Sequence, residues 1–175
     1  DFEAQTLSKS YILSVIDNLK TLYNSHIEND IEHLVEDIHK YKKVAAFGYM
    51  QSENVALNLQ YDLQTNGKIL FTCIKFIDQV DYINNADEET LIIIFSESGT
   101  YFDRVFQRTK PFKNLKMKPK IYMITSNFSI SLPYIDAYVR YHSRNDFASH
   151  PYPLIIISDL ICVQYTKLLQ QKTTK

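Results

Sequence analysis

The residues best suited to chemistry form a short loop, Ser-Glu-Ser-Gly-Thr at positions 96–100. The hydroxyls of Ser96, Ser98 and Thr100 can donate to the oxygens of an anion, and Gly99 lets backbone N–H groups approach it closely. The loop follows an apolar run and precedes a helical pattern, whose N-terminal dipole favours negative charge. This pattern predicts a site for a phosphate-sized anion. The alternative from the same residues is a serine-rich turn that caps a helix.

A second loop, Gly-Tyr-Met-Gln-Ser at 48–52, has the same position after an earlier apolar run. Ser52 is predicted to cap the helix that follows. If the strand order is 2-1-3-4-5, the first and third strands are neighbours, and ligands bind where that order reverses. The two loops would then face each other. Because the chain has only 3 glycines, Gly48 and Gly99 are expected to need unusual backbone angles or a close approach.

Five short apolar runs predict the strands that position these loops. They are continuous rather than alternating, which is typical of strands buried on both faces. They span residues 44–47, 69–73, 91–95, 121–124 and 137–139. Helical patterns between several of them predict parallel pairing through right-handed crossovers. The expected fold is a three-layer α/β/α sandwich with a five-stranded parallel sheet.

Helical patterns also stand at both ends of the chain. The first carries an apolar stripe from Ile12 to Tyr23, and Ser25 with Glu28 then has the form of a capping box that starts a second helix. The last helix, from about Leu154, has an apolar face wider than one core needs. We therefore predict a linker or dimerisation helix at 1–24, a folded domain at 25–175 and a homodimer.

The composition excludes several classes of function. A net charge of -1 over 175 residues argues against a domain that grips nucleic acid by itself. Cys73 and Cys162 are interpreted as small buried hydrophobic residues in a reducing compartment. No apolar run approaches the ~18 residues of a membrane helix. The five lysines of one connecting loop are interpreted as solvated; they are Lys110, Lys113, Lys116, Lys118 and Lys120.

The familiar nucleotide and hydrolase motifs are missing from the sequence. There is no G-x-x-x-x-G-K-[ST], no G-x-G-x-x-G and no G-x-S-x-G, and the histidines lack the spacing of metal ligands. We expect neither a metal nor a cofactor. The acid–base candidates near the loops are Glu53, Glu97, His142 and His150. We interpret the two acids as first-turn or loop residues and the two histidines as solvated, so no catalytic residue is assigned.

Three motifs in order resemble those of the sugar isomerase (SIS) domain, and specifically the effector domain of RpiR-type transcriptional regulators. That family carries G-x-G-x-S after the first strand, S-x-S-G-x-T after the third and a serine-containing turn after the fourth. They correspond here to residues 48–52, 96–101 and 125–129. The resemblance covers nearly the whole chain. Two positions depart from it, because Met50 replaces the second glycine and Tyr101 replaces the threonine.

The resemblance implies a phosphosugar-binding sensor domain in the cytoplasm, in which Ser52, Ser96 and Ser98 contact the sugar phosphate. The residues expected to bind the ligand are Gly48, Gln51, Ser52, Ser96, Glu97, Ser98, Gly99, Thr100 and Tyr101. Such regulators carry a helix-turn-helix module before the sugar domain. Because the chain begins without an initiator Met, we expect that DNA binding resides in an N-terminal module outside it, and we expect no membrane partner.

Three other functions remain open at this point. The first is a phosphosugar isomerase on the same scaffold, and it ranks next after the sensor. The second is a dimerisation module whose pocket has decayed, which the changes at Met50 and Tyr101 would allow. The third is a flavodoxin-like FMN binder, which is disfavoured because its phosphate loop normally follows the first strand.

Overall fold

A computed structural model describes residues 2–107, 112, 117–144, 146 and 150–173. Along the chain lie six helices and four strands within those residues. They are α1 (Phe2–Tyr23), α2 (Glu28–Lys40), β1 (Lys43–Gly48), α3 (Gln51–Thr65), α4 (Phe76–Asn85), β2 (Thr90–Phe95), α5 (Tyr101–Phe106), β3 (Lys120–Thr125), β4 (Ala137–Arg140) and α6 (Tyr152–Thr173).

The four strands form one parallel sheet in the order β1-β2-β3-β4. Alternate residues of each strand face opposite layers. On one side, Ala46 and Ile93 pack with apolar residues of α2, α3 and α6. On the other, Phe47 and Ile94 pack with residues of α4 and α5. The predicted three-layer α/β/α sandwich is confirmed.

The predicted strand at 69–73 is reduced to a single bridge. Phe71 pairs in parallel with Ala45 on the outer side of β1, with Phe71 N–H donating to Val44 O at 2.8 Å. The spatial order is therefore the expected 2-1-3-4-5, although only four strands form. This segment lies at the edge of the sheet, and Ile69 is 82% exposed, so no outer neighbour extends its pairing. Helix α4, which follows it, was not predicted.

The ends of two helices differ from the sequence-based expectation. The capping box at Ser25 is not formed, because Ile27 is the N-cap of α2 and no side chain caps it. The Ser25 hydroxyl instead accepts from the backbone N–H of His142 at 2.8 Å. Ser52 is not a cap either, since α3 starts at Gln51 with Met50 before it. Gly67 does follow α3 with a positive φ of 74°, as predicted.

The two terminal helices expose much of their apolar surface. In α1, Leu22 is buried, but Ile12 and Ile16 are exposed, so most of its predicted stripe has no cover within the chain. In α6, Leu154, Ile157 and Ile161 enter the core, while another row remains exposed. By length and hydropathy α6 also meets the requirement for a membrane span, a property it shares with core helices of globular proteins. The exposed row is Tyr152, Ile156, Leu160 and Val163.

The described lysines of the loop before β3 are engaged in ion pairs rather than free. Lys118 pairs with Asp136, and Lys120 Nζ lies 2.5 Å from Asp37 Oδ2. Lys110, Lys113 and Lys116 lie outside the described residues. Both cysteines are free and half-buried, and desolvation with nearby carboxylates raises the pKa of Cys73 to about 11.

Candidate functional site

The pairing of β1 with β2 brings the two predicted loops together. Gly48 is the register partner of Phe95, so both loops leave the same edge of the sheet side by side. Between them lies a cavity of about 290 Å³, at the small end of ligand pockets. It is lined by Tyr49, Ser52, Phe95, Ser96, Glu97, Ser98, Thr100, Tyr101, Arg104, Asp146 and His150.

Each loop requires its glycine for a different reason. A Cβ at Gly48 would lie 2.4 Å from the backbone of Ser52, because α3 starts directly against the end of β1. Gly99 has a φ of +79°, and a Cβ there would also meet Ile130 at 2.9 Å. Met50 has a φ of 55°, which is strained for a side-chain-bearing residue. This strain explains why the motif that the loop resembles has glycine at that position.

The 96–100 loop is fixed from behind by the residues after β3. The carbonyl of Glu97 accepts from the N–H and hydroxyl of Ser126 and from the hydroxyl of Thr125, all within 3.0 Å. The side-chain amide of Asn127 donates to the carbonyl of Ser98 at 3.0 Å. The third motif therefore supports the anion loop and does not line the cavity.

The hydroxyls at the front of the loop are exposed and adjacent. Ser98 Oγ and Thr100 Oγ1 are 2.9 Å apart, close enough to contact the same anion. Ser96 is buried, and its hydroxyl accepts from the N–H of Tyr101 at 3.3 Å. Helix α5 has only six residues, so any contribution of its N-terminus is short-ranged. The loop thus offers two hydroxyls held on a fixed backbone.

Not every predicted site residue reaches the cavity. Ser52, Ser96, Glu97, Ser98, Thr100 and Tyr101 line it, and Gly48 and Gly99 shape its loops. Gln51 is exposed at the start of α3 and lies outside the lining. The Tyr101 hydroxyl is already used as a donor, to Gln79 Oε1 at 2.7 Å, and burial raises its pKa.

The carboxylate of Glu97 is turned toward the segment before α6. It accepts from the hydroxyl of Ser143 at 2.8 Å, and His150 Nδ1 lies 2.8 Å from its other oxygen, without the alignment of a hydrogen bond. The interpretation of His150 as solvated is wrong. His142 is exposed and stacks on Phe128 with ring centroids 4.7 Å apart. Glu53 is outside the lining, and desolvation raises its pKa.

Three consecutive residues, 142–144, join the cavity to the N-terminal helices; we call them the 142–144 segment. The N–H of His142 donates to Ser25 Oγ, and the N–H of Arg144 donates to Asn18 Oδ1 at 2.9 Å. Between them, Ser143 donates to Glu97. The buried Asn18 of α1 is thereby connected to the anion loop through two adjacent residues.

Sequence reasoning missed two cavity residues on the β1 side. Arg104 is one helical turn after Thr100, and its guanidinium lies 4.4 Å from the ring centroid of Tyr49. The i, i+4 spacing from Thr100 was available as a signal, but it does not tell which face of α5 meets the cavity. Within the described part of the chain, no group of three or more His, Cys, Asp or Glu is arranged to hold a metal.

The arrangement of two loops over a parallel sheet matches several solved structures. The c3406 protein of E. coli CFT073, solved in complex with a phosphosugar, superposes with a TM-score of 0.76 at 14% identity, covering 97% of this chain and 93% of that one. The sugar isomerase domain of the RpiR transcription factor from Sphaerobacter thermophilus gives 0.64 at 19%, covering 97% and 99%. This chain has the SIS-domain fold.

Other proteins with the SIS fold extend the comparison. The Vibrio vulnificus NanR protein, complexed with ManNAc-6P, gives a TM-score of 0.71 at 14% identity. The match covers 96% of this chain but only 65% of NanR. Structures described as phosphosugar isomerases share the SIS fold as well. No protein-family model and no curated protein sequence matches the chain.

Proposed function

We propose that this chain is the phosphosugar-binding sensor domain of an RpiR-type transcriptional regulator in the cytoplasm, with DNA contacts in an N-terminal module. The observation that carries the binding function is the pair of exposed hydroxyls, Ser98 and Thr100, on a loop whose carbonyls are tied back to residues after β3. Hydroxyls held in this way donate to a phosphate without reorganising the backbone. SIS-fold proteins solved with bound phosphosugars, ManNAc-6P among them, support the same ligand class.

The sensing function is supported by the 142–144 segment. A ligand at Ser98 would change the environment of the neighbouring Glu97, which Ser143 holds. Arg144, the next residue, is bonded to Asn18 in α1. Helix α1 is where an N-terminal DNA-binding module would join, so the bonds form a physical connection between the ligand and that module.

Homodimer formation is part of this proposal, with a second copy of the chain covering α1 and α6. Tyr11 and Tyr152 bring the two helices together, with their hydroxyls 3.4 Å apart. An apolar groove of about 580 Å³ lies beside them, lined in part by Leu19, Ile156 and Leu160. Exposed aliphatic rows on both helices form a surface larger than a monomer normally leaves in water. A symmetric partner would bury both rows at once.

The binding function is tested by thermal unfolding with matched ligands. Phosphorylated sugars should raise the melting temperature and the same sugars without phosphate should not, because only the folded loop binds the phosphate. A panel of hexose and pentose phosphates, each paired with its parent sugar, separates phosphate recognition from general sugar binding. Equal shifts with both members of every pair would contradict the proposal.

A second candidate function, a phosphosugar isomerase, is favoured by one observation. Glu97 and His150 form a carboxylate–imidazole pair inside the same cavity, and such a pair can move protons. Against this, both oxygens of Glu97 are already occupied, by Ser143 and by His150. An isomerase would need one of these groups free to reach the carbon that loses its proton. We therefore rank the isomerase second.

A further inference from the structure

The cavity holds a cation that the phosphate loop does not use. Arg104 lines it, and among the residues that the structure describes no carboxylate lies within ion-pair distance of its guanidinium. The acidic groups of the lining already have partners elsewhere. Glu97 is held by Ser143 and His150, and Asp146 lies 3.3 Å from Arg144. The charge of Arg104 is therefore available to a ligand.

The guanidinium is also held in place before any ligand arrives. It lies over the ring of Tyr49, which in turn contacts Phe76 edge-on at 5.3 Å. Stacking on one face leaves the N–H groups at the edge of the guanidinium free to donate in its plane. This planar pair of donors matches the two oxygens of a carboxylate.

The position of Arg104 separates its role from that of the phosphate loop. Tyr49 belongs to the 48–52 loop, so the stack holds the guanidinium beside that loop, while Ser98 and Thr100 face a phosphate from the 96–100 loop. A ligand anchored by its phosphate must extend into the remaining volume of a cavity of only about 290 Å³. Its far end then lies within the part of the cavity that Arg104 lines.

We propose that Arg104 recognises a carboxylate at the end of the ligand opposite the phosphate, and that the ligand is a phosphorylated sugar acid. This inference rests on the proposed phosphosugar-binding function and narrows its ligand class. Neutral phosphosugars would bind through the phosphate loop alone and more weakly.

The test compares two open-chain probes that differ only at one carbon. 6-Phosphogluconate carries a carboxylate at C1, and glucitol 6-phosphate carries a hydroxymethyl group there. By isothermal titration calorimetry, the unaltered chain should bind 6-phosphogluconate at least about ten-fold more tightly, the effect of a charge-assisted hydrogen-bonded pair. Gluconate without phosphate should bind more weakly than either.

Three variants assign that preference to its residue. Arg104→Gln should reduce it to about one-fold while leaving glucitol 6-phosphate within about two-fold of its original affinity. Arg104→Lys, which keeps the charge without the planar fork, should give an intermediate preference. Ser98→Ala should weaken both probes by the same factor and leave their ratio unchanged. Arg104 is exposed, so these substitutions leave the core intact.

Each contrary result has a distinct meaning. Equal affinity for the two probes in the unaltered chain overturns the inference and leaves the proposed function standing. Equal weakening of both probes by Arg104→Gln would mean that Arg104 holds the phosphate, which also overturns it. Failure of every phosphosugar, neutral or acidic, to bind removes the proposed function and the inference with it.

Discussion

Ser143 donates its hydroxyl to the carboxylate of Glu97 at 2.8 Å, across a separation of 46 residues. This bond ties the segment before α6 to the centre of the anion loop. It also turns a negative charge away from the place where a phosphate would sit, where it would otherwise repel the ligand. The neighbouring bond from Arg144 to Asn18 extends the connection to α1.

The first prediction concerns that connection. Binding of a phosphosugar should slow amide hydrogen exchange in α1, because the bonds through Ser143 and Arg144 transmit the ordering of the loop. Ser143→Ala should remove most of this protection while changing affinity by only a few-fold. Ser10→Ala, an exposed change in α1 itself, is the control. Equal protection in the Ser143 variant would contradict transmission by this route.

The second prediction concerns the anion loop. Ser98→Ala should weaken phosphosugar binding by about ten- to a hundred-fold, since a hydrogen bond to a charged group contributes ~1.5–3 kcal/mol. Calorimetric titration measures the change directly. Ser129→Ala removes an exposed hydroxyl outside the cavity and should leave affinity unchanged. The loop is not the phosphate site if both variants bind as well as the original chain.

The third prediction is that the chain does not isomerise phosphosugars. Because Ser143 and His150 occupy the carboxylate of Glu97, that carboxylate is not free to act as a base at the substrate carbon. In deuterated water, exchange at the α-carbon of a bound phosphosugar should stay at the background rate by NMR. Deuterium incorporation that is lost in both Glu97→Gln and His150→Gln would instead identify an isomerase.

The fourth prediction concerns the backbone at Met50. Its φ of 55° is one that glycine adopts freely, and its side chain is 68% exposed, so the side chain contributes little packing. Met50→Gly should therefore raise the free energy of unfolding by about 1 kcal/mol, after allowing for the greater entropy of unfolded glycine. Met50→Ala keeps the strain and should remain near the original value. Urea denaturation of the three proteins decides it, and an alanine variant more stable than the glycine variant would exclude strain.

The fifth prediction concerns assembly. Leu160→Glu should convert a dimer into a monomer in sedimentation experiments, because a charge would enter the proposed interface on α6. Ile161 is unsuitable for this test, since it is fully buried and its replacement would unfold the chain. Ile69→Glu, at the exposed sheet edge, is the matched control and should remain dimeric. A monomer from the unaltered chain at high micromolar concentration would refute the interface.

Local pattern was sufficient for the architecture and for the two loops. Continuous apolar runs identified all four strands, because a strand buried on both faces requires apolar side chains in succession. The shortage of glycine likewise pointed to Gly48 and Gly99, where the chain approaches itself or takes a positive φ. The segment at 69–73 was overextended for the same reason, since its apolar pattern does not reveal that the sheet ends there.

Only the tertiary structure decided which side chains meet in the cavity. Glu97, Ser143 and His150 are distant in sequence, and their contact depends on how the segment after β4 returns to the sheet. Arg104 and Tyr49 likewise meet because β1 and β2 are neighbours, a pairing that sequence reasoning had to assume. The short-range periodicity of a chain records which faces are buried. It carries no record of the long-range register that brings one polar side chain to another, and that register determined the charge and partners of this site.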